Sequence, residues 1–422
     1  MASVSGALLA VVLLAGAGWC AWVTARSVRR HRGTVVAAVV AVVILAGTGL
    51  LAVQVWARAM LESSTVARSV VWLEADTEDW RRLPARHLQA AASPLPLTPV
   101  ALPPEALQTV PVAEGGPVIP LAQLLAETNT TAFLVLRGEE ILMETYPDGS
   151  SRETVRTSFS VAKSHLSTLL GTAVERGEIG SLEDPVTDCV PELLDQDPAF
   201  ARVALGHLLT MSSGIGNEET GTSWGDDART YYAPDLRATA LPAMVVEPPG
   251  RRWHYNNYDP LLIGLVLERA TGQPVADYLE QVLWQPMGAQ YGASWSLDST
   301  AGGFEKKGSG LNATATDYPR FGHLFAHEGR TAGRQVVPTD WVQEATAAGT
   351  AADPAAHYQY WWWVDTTRQH RYYARGNFGQ YIYADPDTDV VVVRLGEDTG
   401  GADWPAILRD VADQAQRLPR QG

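Results

Sequence analysis

Thr157-Ser158-Phe159-Ser160-Val161-Ala162-Lys163-Ser164-His165-Leu166-Ser167-Thr168-Leu169-Leu170-Gly171-Thr172-Ala173-Val174-Glu175-Arg176-Gly177 is the stretch on which the reading of this chain turns. Apolar residues at 162, 166, 169, 170, 173 and 174 form a helical stripe, and Gly177 stands where a stop is expected, which puts Ser160 at the start of a helix. Residues i and i+3 share a helix face, so the Ser160 hydroxyl and the Lys163 amine can meet. A helix N-terminus also presents unpaired N–H groups and partial positive charge, which favours an alkoxide there. Only three of the 32 basic residues are lysines, and one of them falls here. An amine can turn neutral and take a proton from a serine hydroxyl, whereas a guanidinium stays charged. Ser-x-x-Lys alone is a weak signal; its position at a helix start is what makes Ser160 a candidate nucleophile and Lys163 its candidate base.

Outward from this helix, the 422 residues divide unevenly. Residues 6–25 and 34–57 carry no charge, and each is long enough to cross about 30 Å of hydrocarbon. Between them lies Arg26-Ser27-Val28-Arg29-Arg30-His31-Arg32, while no basic residue precedes the first span. The positive-inside rule then predicts a two-span anchor over residues 1–60, with both chain ends outside the cytoplasm. A signal peptide would carry its charge ahead of the apolar stretch rather than behind it. Residues 61–115 read as an arm and Pro-rich linker, with Ser93-Pro94-Leu95-Pro96-Leu97-Thr98-Pro99 extended and 70–86 mixed enough to pack on the main domain.

No acidic residue precedes Glu62, so the part beyond residue 58 holds 27 basic against 47 acidic residues, a formal charge of −20. That balance argues against nucleic acid as a partner. Contact with the membrane is expected through the spans, and a small molecule or peptide as substrate. The two cysteines, Cys20 and Cys189, offer neither a disulfide framework nor a metal site. His323 and His327 stand at i and i+4 without the glutamate a zincin needs, and read as helix-surface residues, so no metal or cofactor is expected.

Residues 116–422 amount to one domain. Thr131–Arg137 and Glu139–Tyr146 about Gly138 read as a hairpin, and 358–365, 371–374, 380–384 and 390–395 as further strands, with a helix at 404–417. Strands at both ends around a helical middle, 160–345, predict one sheet assembled from the two termini with a helical lobe inserted. Trp361-Trp362-Trp363 reads as sheet packing before cleft lining. Gly221-Thr222-Ser223-Trp224-Gly225 matches the nucleophile elbow, but neither the preceding strand nor the following helix that the elbow needs is predicted around it.

Five motifs in order, Ser160-Val161-Ala162-Lys163, Leu209-Thr210-Met211-Ser212-Ser213-Gly214-Ile215, Tyr255-Asn256-Asn257, Gly310-Leu311-Asn312-Ala313-Thr314 and Ala374-Arg375-Gly376-Asn377-Phe378-Gly379-Gln380, resemble those of the serine β-lactamase-related hydrolases. That group includes class C β-lactamases, DD-peptidases, carboxylesterases and 6-aminohexanoate-dimer hydrolase. The resemblance covers about 120–415. It implies a three-layer α/β fold with an antiparallel sheet plus an inserted helical domain, and an acyl-enzyme mechanism.

By the same resemblance Tyr255 would shuttle protons beside Ser160 and Lys163, Asn257 would orient lysine or substrate, and the backbone N–H groups of Ser160 and Asn377 would hold the oxyanion. Arg375 and Gly376 would line the substrate cleft. Asn312 matches a substrate-contacting asparagine and equally suits a helix cap. Where β-lactamases carry Lys-Thr-Gly this chain has Ala374-Arg375-Gly376, which favours an esterase over penicillin-directed activity. Glu219-Thr220-Gly221 lacks the tyrosine that helps the oligomer amidases hold an amide. A non-catalytic binding or sensing domain of the penicillin-binding fold is the other reading, and a DD-peptidase or β-lactamase a third.

Overall fold

Val390-Val391-Val392-Val393 has no polar residue to turn outward, and a strand of that kind must be covered on both faces. In the computed structural model, which describes residues 32–102, 106–111, 116–348, 355–368 and 370–419, it is. The strand Val390–Gly396 lies inside a sheet of eight strands among the described residues. Edge to edge their order is Thr98–Pro99, Glu140–Thr145, Thr130–Arg137, Val390–Gly396, Gln380–Asp385, Tyr372–Gly376, Trp362–Val364 and Tyr358–Gln359. Every pairing is antiparallel except that of Thr98–Pro99 with Glu140 and Ile141. The sheet therefore joins strands from both ends of the domain, with the helical region between them in sequence.

Side chains alternate across it. Phe133, Val135, Val390, Val392, Tyr381 and Tyr383 pack under the C-terminal helix Trp404–Arg417 and the helix Leu121–Glu127. Val391 and Ile382 face the other way, onto the helix Tyr318–Ala326, whose Gly322 is the point of contact. Helix, sheet and helix make the three layers that the resemblance implies.

Other parts depart from the sequence reading. Residues 358–365 are not one strand: Tyr360 and Trp361 both have positive φ, 39° and 66°, and the chain reverses there into two short strands. Residues 61–115, expected as an arm and linker, are shared between two compact units. The chain divides into two compact units, Met1–Ala75 with Glu219–Pro234, and Asp76–Glu218 with Asp235–Gly422. Within the larger unit Ala85–Leu88 pairs with Ala293–Ser296, giving a four-stranded sheet that runs on through Leu311–Thr314 to Val155–Thr157. None of those four strands was expected, because each is only three or four residues long.

In the smaller unit the helix Arg32–Ala59 contains an apolar run, Val39–Ala59, of mean hydropathy 2.3 and almost no burial. Length and composition allow it to cross a membrane. The expected first span, 6–25, and the basic loop up to residue 31 lie outside the described residues, so one of the two spans has a structural counterpart. Arg68, on the helix Thr65–Trp72, donates to the carbonyls of Leu61, Tyr232 and Ala233 and so ties the 219–234 segment into this unit. Gly221–Gly225 is turn and bend with no strand before it, which removes Ser223 as an elbow nucleophile.

A Cβ at position 322 would stand 2.6 Å from Val391 Cγ1 and 2.9 Å from Ile382 Cγ2. Gly322→Ala gains about 1 kcal/mol of helix propensity but overpacks the core, typically a loss of 1–3 kcal/mol, so net destabilisation is expected. In a double-mutant cycle by urea denaturation, Val391→Ala should relieve part of the loss. Strict additivity would show that this helix does not seat on Val391.

Candidate active site

The short strand Val155–Thr157 delivers the chain to the helix Val161–Glu175 through Ser158 and Phe159, and Phe159 is held in the left-handed region at φ 47°. For a bulky residue that backbone is strained, and here it turns Ser160 into the N-cap position. Lys163, buried one turn on, donates from Nζ to Ser160 Oγ at 2.9 Å and to the Gly308 carbonyl at 2.9 Å. The amine also lies 5.1 Å from the centroid of the Tyr255 ring. The Ser160 hydroxyl, the Gly308 carbonyl and the Tyr255 ring, from three parts of the sequence, thus converge on one amine. Sequence reasoning did not find Gly308; a Cβ there would sit 3.1 Å from Lys163 Nζ, so a residue without a side chain is what fits.

Opposite the nucleophile turn runs the end of the strand Tyr372–Gly376. A Cβ on Gly376 would lie 2.4 Å from the Ser158 carbonyl oxygen and 3.1 Å from the Ser160 nitrogen, so the two backbones touch and position 376 must be glycine. The following turn, Asn377–Gly379, puts Phe378 at φ 60° with its ring 5.1 Å from that of Phe159. Gln380 donates to the Asn377 and Gly396 carbonyls, and buried Arg394 to those of Phe378 and Gly379. Burial pushes the Arg394 guanidinium down to about 9, and its bonds to backbone carbonyls are what make it fit. Sequence reasoning quoted Gln380 as motif and passed over Arg394, which lies in an otherwise apolar strand.

Tyr255 is fixed by an aromatic cluster. Its ring stacks on Trp363 at 6.5 Å and 21°, and meets Tyr358 edge-on at 6.2 Å. Trp361 and Trp362 are buried as packing residues, but Trp363 belongs to the site. Exposed Arg375 lies over the Trp363 ring at 5.6 Å, while Ala374 is buried at the position where Lys-Thr-Gly would place its lysine. Asn257 is the N-cap residue of the helix Tyr258–Thr271, two positions from Tyr255. Asn256 points inward and bonds the Ile215 carbonyl, bringing the 209–215 motif against the tyrosine loop.

Asn312 is not the cap of the helix that follows. It is buried in the strand Leu311–Thr314, accepts from Thr157 Oγ1 and donates to Ser294 and Ser296. The following helix takes Asp317 as its N-cap instead. The expected helix-surface pair also needs correcting: His323 is buried, and with His327 and Asp389 it forms a cluster of possible ligand atoms within 4.8 Å of one another.

Asp259 went unremarked in the sequence and is wholly buried beside the amine. Ser213 Oγ donates to its Oδ1 at 2.7 Å, and its Oδ2 has no partner among the described residues. Burial raises this carboxyl well above the usual carboxylate range, against the opposing pull of the Ser213 bond and the Lys163 charge. No amphipathic signal marks it, since it occupies the first turn of a helix buried nearly all round.

A family model described as Beta-lactamase matches residues 121–416. The chain belongs to the beta-lactamase family. It is 29% identical over 312 residues to 6-aminohexanoate-dimer hydrolase of Paenarthrobacter ureafaciens, covering 68% of this chain and 75% of that one. It is 33% identical over 141 residues to Esterase EstB of Burkholderia gladioli, 31% of this chain and 36% of the relative. A solved Bacillus anthracis structure described as "Putative 6-aminohexanoate-dimer hydrolase" superposes with a TM-score of 0.70 at 22% identity, over 80% of this chain and 92% of that one. With this membership the chain is a hydrolase of the serine beta-lactamase fold.

Between about pH 4 and the raised value for Asp259, the folded state keeps a proton that the unfolded chain has released, so this group's contribution to stability falls as pH rises. One proton changes the unfolding free energy by about 1.4 kcal/mol per pH unit. Asp259→Asn, neutral and isosteric, should therefore gain stability over wild type as pH goes from 5 to 8 in denaturant titrations. A difference independent of pH would mean that Asp259 is ionised throughout.

Proposed function

We propose that this protein is a membrane-anchored serine hydrolase whose catalytic domain works outside the cytoplasm and cleaves esters through an acyl-enzyme. The observation that carries the reading is the 2.9 Å contact of Lys163 Nζ with Ser160 Oγ at the start of a helix, with Tyr255 beside the amine. In its neutral form Lys163 takes the Ser160 proton as Oγ attacks the substrate carbonyl. The oxyanion lies between the N–H groups of Ser160 and Asn377, on the two backbones that Gly376 brings together. Tyr255 passes a proton to the departing alkoxide as the C–O bond breaks. Water then attacks the acyl-Ser160 ester, and the same groups run in reverse. Asn257 and Arg375, at the edges of this site, orient substrate.

Support for an ester comes from the match to EstB and from Ala374, which leaves no lysine where β-lactamases meet the substrate carboxylate. A second reading, amide hydrolysis, is favoured by the wider match to 6-aminohexanoate-dimer hydrolase. Against it stands Glu219-Thr220-Gly221, with no tyrosine to hold an amide. A domain that only binds ligand would not need serine, lysine and tyrosine together.

Purified protein should turn over short-chain p-nitrophenyl esters and leave cephalosporins and p-nitroanilides largely intact. Efficient cephalosporin turnover would overturn the assignment of Ala374. Lys163→Arg should lower esterase activity by roughly 10²-fold or more, as removal of a general base does, and Ser160→Ala should abolish labelling by a fluorophosphonate. Near-wild-type activity in Lys163→Arg would remove lysine as the base.

The apolar run Val39–Ala59 supports the anchor, and the arginine-rich loop before it the orientation. Trp224 is strongly exposed, so in a Cys189→Ala background Trp224→Cys should react with a membrane-impermeant maleimide in intact cells. Reaction only after permeabilisation would place the catalytic domain inside.

A further inference from the structure

Away from the Ser160 site, three elements of the larger unit meet at a cluster of nitrogen and oxygen donors. His323 lies on the last turn of the helix Tyr318–Ala326 and His327 follows its end, while Asp389 lies in the turn between the strands Gln380–Asp385 and Val390–Gly396. His327 Nδ1 is 2.9 Å from the His323 carbonyl oxygen, a contact that fixes the ring N–H at Nδ1 and leaves a lone pair at Nε2. That Nε2 is 3.3 Å from Asp389 Oδ1. A lone pair facing a carboxylate oxygen across that gap is repulsive unless a proton or a metal cation lies between them.

His323 is buried behind the same gap, and one of its ring nitrogens lies within 4.8 Å of the ligand atoms that His327 and Asp389 offer. The two imidazole centroids are 4.0 Å apart at an angle of 44°. Asp389 is held from the hairpin turn between Thr130–Arg137 and Glu140–Thr145: Gly138 N–H donates to its carbonyl, and a Cβ at 138 would stand 3.0 Å from Oδ2.

We infer that His323, His327 and Asp389 form a binding site for a divalent transition-metal cation of the zinc type, which fastens the helix Tyr318–Ala326 to the two hairpin turns. The donor set suits it: two imidazoles and a carboxylate are ordinary zinc ligands, and solvent reaches His327 and Asp389 to complete the coordination. The spacing suits it too. With metal bonds of about 2.0–2.1 Å in a tetrahedron, neighbouring ligand atoms stand about 3.3 Å apart, which is the His327 Nε2 to Asp389 Oδ1 separation. His327 gives its second nitrogen to a backbone carbonyl, the outer arrangement that orients metal-bound histidine. A simple histidine–carboxylate ion pair accounts for His327 and Asp389, but not for a second imidazole turned onto the same point.

The test is titration of the chelator-treated full chain in detergent with Zn²⁺ alone, followed by calorimetry and thermal melting. One equivalent should bind saturably and raise the melting temperature in step with free Zn²⁺. His327→Ala and Asp389→Asn should each weaken binding more than about tenfold and remove the thermal shift. Both leave the esterase site untouched, so retained ester turnover would show that each variant is folded. Asparagine also tolerates the left-handed backbone of position 389, φ 62°. Co²⁺ in place of Zn²⁺ should give visible d–d bands that Zn²⁺ displaces. Absence of a saturable site in wild type, affinity unchanged in both variants, or Co²⁺ bands that persist in the variants would each overturn the inference.

Discussion

The constraint on which the site depends is a backbone-to-backbone approach. The end of the strand Tyr372–Gly376 presses on Ser158 and Ser160 so closely that a single methyl group at 376 would collide with a carbonyl oxygen. Everything around that contact keeps the two chains there. Phe159 and Phe378 both adopt left-handed backbones and pack ring against ring, each turning its own chain sharply at the junction. Such conformations cost roughly 1–3 kcal/mol each and persist only where surrounding structure over-determines them. Here Arg394 and Gln380 supply that structure, bonding the carbonyls at 377, 378 and 379 from beneath. A buried arginine is expensive to desolvate, and this one is matched by carbonyls on every side and by the Trp404 ring 3.9 Å away.

Lysine usage links sequence to site more directly than any motif. All three lysines, 163, 306 and 307, are buried, while arginine supplies the surface. Lys307 is neutralised by Glu305 at 2.6 Å and Glu268 at 3.1 Å, a structural pair of carboxylates. Lys163 has instead a hydroxyl and a carbonyl, with no carboxylate bonded to it among the described residues. Rarity marked the residue type in the sequence; the difference between a structural lysine and a candidate base lay in its partners, which only the fold assembles.

The same division runs through the rest of the chain. Long, strongly patterned elements could be read: the hairpin about Gly138, the strands at 380 and 390, the helix Trp404–Arg417 and the Ser160 helix all carry the period of their own structure. Residues 85–88, 155–157, 293–296 and 311–314 could not be, because strands this short are defined by partners far away in sequence. Tyr358 to Asp365 looked like one strand because its composition is β-like throughout, and nothing in it announces the reversal at Tyr360 and Trp361. Asn312 fitted a motif by type and order but was drawn into the short sheet, where Thr157, Ser294 and Ser296 hold its amide. The i, i+4 histidines were discounted for lack of a glutamate between them; their third partner comes from a turn some sixty residues later.

Asp259 shows why the electrostatics of the site differ from what a list of charged residues suggests. A buried carboxylate beside a lysine normally forms an ion pair, and an ion pair would hold the lysine as an ammonium that cannot take a serine proton. Here no such bond is made among the described residues: the carboxyl accepts from the Ser213 hydroxyl, and burial raises its pKa well above the usual carboxylate range. In the proposed reaction the Ser160 proton moves to Lys163, and the new ammonium then has no bonded carboxylate at its side among the described residues. The helix N-terminus adds partial positive charge from the same direction. In that scheme positive potential rises at the reacting carbonyl as negative charge forms there, which would stabilise the transition state more than the ground state.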